Sequence, residues 1–238
     1  MTASAATVHL NRFWTWTEKH GSGAYFFRGQ ADGSDIVPKV ARPDYQYSLS
    51  RERALFNAFK SQARPFLRTA VVSDWEWLAL AQHHGAPTRL VDWSTSPLVA
   101  AWFAVTSFPL HTDAYVFALD VARPGLESVD SGTGQVSSGA TIIDPLGITR
   151  GLYLMETSPV SSRITTQRGL FTVHGDPRKP LAIPKDRRFE IPAGMRLSFQ
   201  LRLLDLGIDA AHIYPDLDGL CKSLDWRMRT GKGFSAVT

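Results

Sequence analysis

Apolar positions along the chain change their period several times, and each change marks an element. The block AYFFRG, residues 24–29, is apolar and aromatic and ends on glycine, which predicts a first strand. Ala54, Leu55, Ala58, Phe59, Gln62 and Phe66 then recur near helical spacing, predicting a helix over residues 50–67. Ser73 followed by Glu76 is a capping-box pair that opens a helix through WEWLALAQHH, which stops at Gly85. RLVDW reads as a short strand, and Ser96 followed by Pro97 is a start signal for the helix PLVAAWFAVTSF. AYVFALDV, GLYLMET, GLFTV and RFEI have the pattern of strands. The closing part returns to a helical period. MRLSFQLRLLDL runs to Gly207, and PDLDGLCKSLDW puts Leu217, Leu220, Cys221 and Leu224 on one face, where Cys221 is expected to be core.

Strands outnumber the simple alternation of a doubly wound sheet, and the helices cluster early and late. That is an α+β pattern, with a central mixed or antiparallel sheet flanked by helices. One domain is expected over residues 1–238, with residues 1–20 as a lead-in, residues 230–238 as a tail, and no repeat dividing them. Residues 128–139 (SVDSGTGQVSSG) and 175–186 (GDPRKPLAIPKD) are rich in Gly, Pro, Ser or charge and read as the most flexible internal segments.

Composition adds mainly exclusions. An apolar share of 44% with 11% aromatics is enough for a packed core, so disorder is not a whole-chain answer. One cysteine, Cys221, excludes a disulfide framework and a cysteine-rich zinc or iron–sulfur site, and suits a reducing compartment. The opening MTASAATVHLNRFW lacks the features of a signal peptide, and no stretch approaches the ~18 apolar residues of a spanning helix. A cytoplasmic protein with no membrane partner is expected. The net charge is only +4, although basic residues gather between Arg178 and Arg196 and again at Arg227, Arg229 and Lys232. Ordinary surface scatter explains such patches, as would a nucleic-acid partner or an anionic ligand.

There is no Walker loop, no GxGxxG after a strand, no GxSxG and no HExxH. The histidines are scattered except for His83 and His84, and helical neighbours point about 100° apart, so no metal is expected. What remains is a polar constellation among apolar residues. Arg28 closes the run YFF, and residues 82–96 hold Gln82, His83, Thr88, Arg89, Asp92, Ser94, Thr95 and Ser96 between Trp77, Leu80, Leu90, Trp93 and Leu98. Half-buried arginines need a carboxylate or an anionic ligand, and Asp92 is the nearest partner in sequence for Arg28 or Arg89. A second polar turn, RITTQRG, carries Gln167 and Arg168 into an apolar strand. Gly29 and Gly85 are expected to pack closely against neighbouring backbone and make room for a pocket. The plainer readings compete at several positions: Ser96 as a helix cap, Glu76 as a capping-box partner, His83 as a satisfied buried histidine, and Arg89 with Asp92 as a structural clasp.

FFRGQ, WLALAQHHGAPTRLVDWSTSPLVAAWFA, RITTQRGLFTVH and GIDAAHIYPDLDGL resemble the FRG domain in order and spacing, from about Tyr25 to Leu220. That family occurs in bacterial and phage contexts, often beside toxin or defence systems, which implies an antitoxin or defence-system partner. A weaker resemblance links the chain to the ADP-ribosyltransferase fold, in which an early-strand arginine holds nicotinamide adenine dinucleotide (NAD) as substrate. Arg28 matches that arginine, and STSPLVAAWFA is similar to the fold's Ser-Thr-Ser strand and helix. The third element departs: Gln167 is followed by Arg168 and Gly169, without the catalytic glutamate of the Gln-x-Glu motif.

The resemblance implies an ADP-ribosyltransferase-like fold and a mono-ADP-ribosyltransferase acting on nucleic acid or protein. Arg28, Asp92 and Gln167 are then the catalytic candidates, and Glu156 and Glu190 are further carboxylates. Arg28, Gln82, His83, Thr88, Arg89, Trp93, Ser94 and Ser96 are the ligand-binding candidates, with Arg28 and Arg89 on the diphosphate and Trp93 or Tyr25 stacked on nicotinamide. Two other readings stay open: a non-catalytic module for a nucleotide or nucleic acid, and a metal-free hydrolase using His83 and Asp92 as acid and base.

Overall fold

The computed structural model of the chain describes residues 5–21, 23–67, 70–156 and 169–232. It begins with a helix, α1 (Ala5–Lys19), where a lead-in was expected. Leu10, Phe13 and Trp16 recur at helical spacing, and Phe13 is fully buried, so tertiary packing stabilises a weakly amphipathic segment. Strand β1 (Tyr25–Gln30) follows, then α2 (Leu49–Ala63), which stops before Pro65 and gives way to a 3₁₀ turn at Arg64–Phe66. At α3 (Asp74–His83), Ser73 accepts a hydrogen bond from the Glu76 N–H at 3.0 Å. Glu76 returns a bond to the Val72 N–H at 2.8 Å, one residue earlier than a strict capping box.

The middle of the chain holds β2 (Leu90–Ser94), α4 (Pro97–Thr106), β3 (Ala114–Asp120), β4 (Leu126–Asp130) and β5 (Leu152–Glu156). The last part holds β6 (Gly169–His174), β7 (Arg188–Ile191), α5 (Arg196–Asp205), the single turn α6 (Ala210–Ile213) and α7 (Leu217–Thr230).

The expected α+β class is found. One seven-stranded mixed sheet runs in the order β4-β5-β6-β2-β1-β3-β7, with β4 and β5 parallel and every other neighbouring pair antiparallel. Strand β4 overlaps the start of the segment read as flexible. The loop after it is tied down, because the Asp130 carboxylate accepts from the Gly132 and Thr133 N–H groups and the Thr133 hydroxyl.

Because side chains alternate across a strand, Leu90, Asp92 and Ser94 share one face of the sheet, and the Phe27–Ser94 pairing puts Phe27 on it too. Two separate cores cover that face. On the β1-β3-β7 side, α1, α4 and α5 bury Phe27, Val116, Ala118 and Ile191. On the β2-β6-β5 side, α2 and α3 bury Leu90, Phe171, Val173 and Met155 under Trp75 and Leu78. The opposite face is covered by extended chain: Ile36 and Leu181 pair with each other and, with Ile183, pack on Val91, Trp93, Phe117 and Leu119.

Helix α7 corrects an expectation. Its period is right and its inward face is not: Leu217 is 78% exposed, Leu224 is 43% exposed and Cys221 is exposed rather than core. The helix packs through its small positions instead. A Cβ on Gly219 would overlap the Tyr214 carbonyl, and Ser223 donates to Asp209. Close approach on glycine and serine outweighed the leucine stripe.

Candidate functional site

The two cores on one sheet face leave a gap between them. At Phe27–Ser94, β1 pairs with β2, and beyond that pair the strands part. A cleft of about 270 Å³ opens there. Phe27, Gly29, Asp92, Ser94 and Phe171 line its floor, Gln82 and His83 from the end of α3 form one wall, and Val99, Ala100 and Phe103 of α4 form the other. Gly29 lets that wall stand close to the sheet, since a Cβ at this position would overlap the Ala100 carbonyl and the Ala104 nitrogen. Gly85 does something different from the close packing expected of it. It ends α3 with φ +83° and has open space around it, so conformation and not contact requires glycine there.

Arg28 belongs by alternation to the opposite sheet face, but its guanidinium lies across the parting of the strands. Nη1 donates to the Asp92 backbone carbonyl at 2.9 Å and Nε to Gln30 Oε1 at 3.2 Å. Asp92 Oδ2 lies 3.8 Å from Nη1, so the ion pair is loose. Burial pulls the Arg28 pKa down; Asp92 counters this, and the nearby Arg42 adds to it. The Asp92 carboxylate is 58% exposed in the cleft mouth. It is oriented by a relay of hydrogen bonds: Thr88 accepts from the Leu90 N–H at 3.1 Å and donates to Gln82 Oε1 at 2.6 Å, and Gln82 Nε2 donates to Asp92 Oδ2 at 2.7 Å. The cleft therefore presents a cation, an anion and a fixed amide between aromatic walls.

Arg28, Gln82, His83, Asp92 and Ser94 are brought together as expected. Three other ligand candidates, Arg89, Thr88 and Ser96, lie outside the cleft lining. Arg89 does not reach the cleft or Asp92. It is 1% exposed, donates to Glu52 at 3.0 and 2.7 Å and to the Ile148 carbonyl at 2.8 Å, and is a clasp between α2 and the start of β2. The carboxylate for Arg89 was 37 positions away in sequence, on a helix where it shares the buried face with Phe56. Trp93 borders the cleft, while its side chain alternates to the opposite face from Asp92 and Ser94, where its indole donates to Thr172 at 2.9 Å. Thr88 is buried and acts through Gln82. Ser96 caps α4, accepting from the Val99 N–H, and its own N–H donates to Ser94 Oγ at 3.0 Å. Tyr25 lies against His20 and under Arg187, outside the cleft lining. Glu190 accepts from the Tyr115 hydroxyl on edge strand β7, two strands from the cleft. Gln167 and Arg168 lie outside the described residues.

Several lining residues escaped the sequence reading, two aromatic ones among them. Phe103 projects from α4, and Tyr214 arrives from the turn after α6, over a hundred positions further along. A third, Ser107, borders both this cleft and a second cavity. Its backbone is gripped by Arg196, which is 4% exposed and donates to the carbonyls of Ala104, Val105, Ser107, Pro109 and Thr112. The carbonyl-rich C-terminal end of α4 stands in for the carboxylate that this buried cation would otherwise need. Among the described residues, no group of three or more His, Cys, Asp or Glu side chains is placed to hold a metal ion, and no helix is long and apolar enough to cross a membrane.

Residues 23–112 match the FRG domain family. This stretch spans β1 to α4 and so supplies Arg28, Gln82, His83, Asp92 and Ser94, leaving Tyr214 outside it. No curated protein and no solved structure matches the chain.

Proposed function

Residues 23–112 match the FRG domain family, and from that premise we propose that the chain is a mono-ADP-ribosyltransferase. It takes NAD as substrate and modifies a nucleic acid or protein acceptor, in the manner of a bacterial or phage toxin or antiviral effector. The observation that carries this reading is Arg28. Its guanidinium stands at the parting of two central strands, between an aromatic-walled cleft and an exposed, oriented carboxylate, Asp92.

The reaction needs both groups. The bond between nicotinamide nitrogen and ribose C1′ breaks, its electron pair leaves with nicotinamide, and the ribose acquires oxocarbenium character. A carboxylate within reach stabilises that charge and accepts the proton of the attacking acceptor as the new C1′ bond forms. Asp92 is the carboxylate in the cleft, held by Gln82. Arg28 grips the anionic part of the substrate, with a fork that lysine lacks. Phe103 and Tyr214 supply apolar walls for the nicotinamide ring.

A second reading, a non-catalytic nucleotide- or nucleic-acid-binding module, is favoured by one observation. Gln167 is followed by arginine and glycine, where a glutamate would complete the transferase motif. Purified protein incubated with NAD carrying a labelled adenylate, plus DNA, RNA and protein acceptors, separates the two. Transfer of label with nicotinamide release is expected, reduced about ten- to hundred-fold in Arg28→Lys, which keeps the charge and loses a bidentate contact. Asp92→Asn is expected to abolish transfer while retaining NAD binding. NAD binding without nicotinamide release in the parent protein would establish the module and remove the transferase.

A further inference from the structure

Beside the cleft lies a second, larger cavity of about 620 Å³, bordered by Arg28, Arg42 and Arg178 together with Asp32 and Asp35. Its volume suits a mononucleotide-sized group. Neither acid forms an ion pair with Arg28, Arg42 or Arg178 among the described residues. Asp35 is paired with Arg188 at 2.8 Å, and Asp32 accepts the Ser34 N–H at 2.8 Å and the Ser34 hydroxyl. Arg178 is 70% exposed and held by Asp176 through Nε at 3.0 Å and Nη2 at 3.3 Å, with its guanidinium 6.0 Å from the Tyr47 ring. Arg42 is exposed and has no carboxylate within ion-pair distance among the described residues. Arg28 is mostly buried, donates to the Asp92 carbonyl and to Gln30, and has Asp92 at 3.8 Å as its one carboxylate partner among the described residues. Arg178 thus brings its own carboxylate and Arg28 a loose one, which leaves Arg42 as the guanidinium whose charge an anion in the recess would balance.

We propose that this arginine-lined cavity is a diphosphate site, in which Arg42 and Arg178 take the two phosphoryl groups of a nucleotide whose far end lies in the aromatic cleft. Arg28, Gly29 and Ser107 border both cavities, so one extended molecule can occupy the two. Arg28 stands at the junction, where it reaches the phosphoryl group nearer the cleft. Planar guanidinium groups suit phosphate oxygens because they donate in pairs. Identifying the molecule as NAD rests on the proposed function, whereas the anion site rests on the arginines alone.

The test is calorimetric titration of the full chain with inorganic pyrophosphate and with ADP-ribose, using the parent, Arg42→Ala, Arg178→Ala and the double substitution. Both residues are exposed, so melting temperatures should stay at the parent value. Both ligands are expected to bind the parent, and each substitution is expected to weaken both by about tenfold or more, as loss of a charge-assisted contact does. Free nicotinamide, which has no phosphate, should bind parent and variants equally. Equal affinity of parent and double variant for pyrophosphate and ADP-ribose would overturn the site, as would binding of neither ligand by the parent. An oligonucleotide that binds through Arg42 and Arg178 without competition from pyrophosphate would make the cavity a nucleic-acid track, which also overturns it. If both ligands bind in an arginine-dependent way and NAD is never consumed, the transferase reading fails and the diphosphate site stands. If NAD is consumed with an unchanged KM in the double variant, the diphosphate site fails and the transferase reading stands.

Discussion

Arg89 reaches Glu52 through Nε at 3.0 Å and Nη2 at 2.7 Å, with the two side chains 1% and 2% exposed. Charges so sealed from water hold each other in place, and removing one strands the other in a medium that solvates it poorly. Glu52→Gln is therefore expected to lower unfolding stability by about 3–5 kcal/mol in denaturant titrations, while the folded fraction binds ligand as before. Combining it with Arg89→Met should recover much of the loss, because no orphan charge remains. Unchanged stability in Glu52→Gln would contradict the buried pair. Arg28 has the same functional group in a different setting. Its carboxylate partner is loose and half open to water, which leaves the guanidinium available to an anion. At this scale the sequence showed that both arginines needed partners, but not which partner each would find. Asp92 lies three positions from Arg89 and pairs instead with Arg28, 64 positions away, because alternation along β2 and the start of that strand point the two side chains to different surroundings.

Helix α4 is started by its own Ser96 and Pro97, whereas Arg196, from α5, gathers the carbonyls where it stops. Its distance from the sheet is set by Gly29, the glycine of the FFRGQ run. Gly29→Ala forces a methyl into the backbone of Ala100 and Ala104, so α4 must move outward or β1 must bend. Overpacking of this kind typically costs about 1–3 kcal/mol. The expected outcome is a lower denaturant midpoint together with altered ligand affinity, since α4 is a wall of the cleft. A Gly29→Ala protein with unchanged stability and affinity would show that the close approach is not required. Most elements were legible because their caps and periods are local properties. The helix at residues 5–19 and the strand at 126–130 were less so, because both depend on distant partners, Phe189 and Phe199 for the former and Leu152–Glu156 for the latter.

The whole molecule carries a stability signature in its pH dependence. His174 is buried on the sheet, beside Thr172, and its pKa is pushed down from the ordinary 6.5 to about 4, first by burial and then by repulsion from Arg28, Arg123 and Arg89. The unfolded chain takes up a proton on this histidine below about pH 6.5, and the folded chain does so only near pH 4. Stability is therefore fully present above pH 6.5 and is lost as the pH falls towards 4, by roughly 3 kcal/mol over the window. Depressed carboxylates act in a lower range. Asp130, held down by the Thr133 hydroxyl and N–H, adds stability that disappears only as the pH falls below its ordinary 3.8. Denaturant titrations between pH 7.5 and 4.5 should be level to about pH 6.5 and then fall in the parent, with a much flatter line in His174→Gln. A parent whose stability is level from pH 7 to pH 5 would contradict a buried neutral His174.

Periodicity, caps and turn residues determined the α+β class, most element positions and the composition of the polar segment after α3, since each of these depends on neighbours a few residues apart. The RGQ and QHHGAPTRLVDW motifs also marked where Arg28, Gln82 and Asp92 would be found. Tertiary structure decided the rest. It chose Glu52 over Asp92 for Arg89, aimed the Trp93 indole N–H at Thr172, laid α7 down on Gly219 and Ser223 instead of its leucines, and carried Tyr214 and Arg178 to cavities built around β1. The reason is common to all four. Which face of an element is buried, and which charge finds which, is settled by contacts outside the element itself, where close packing and desolvation outweigh local preference.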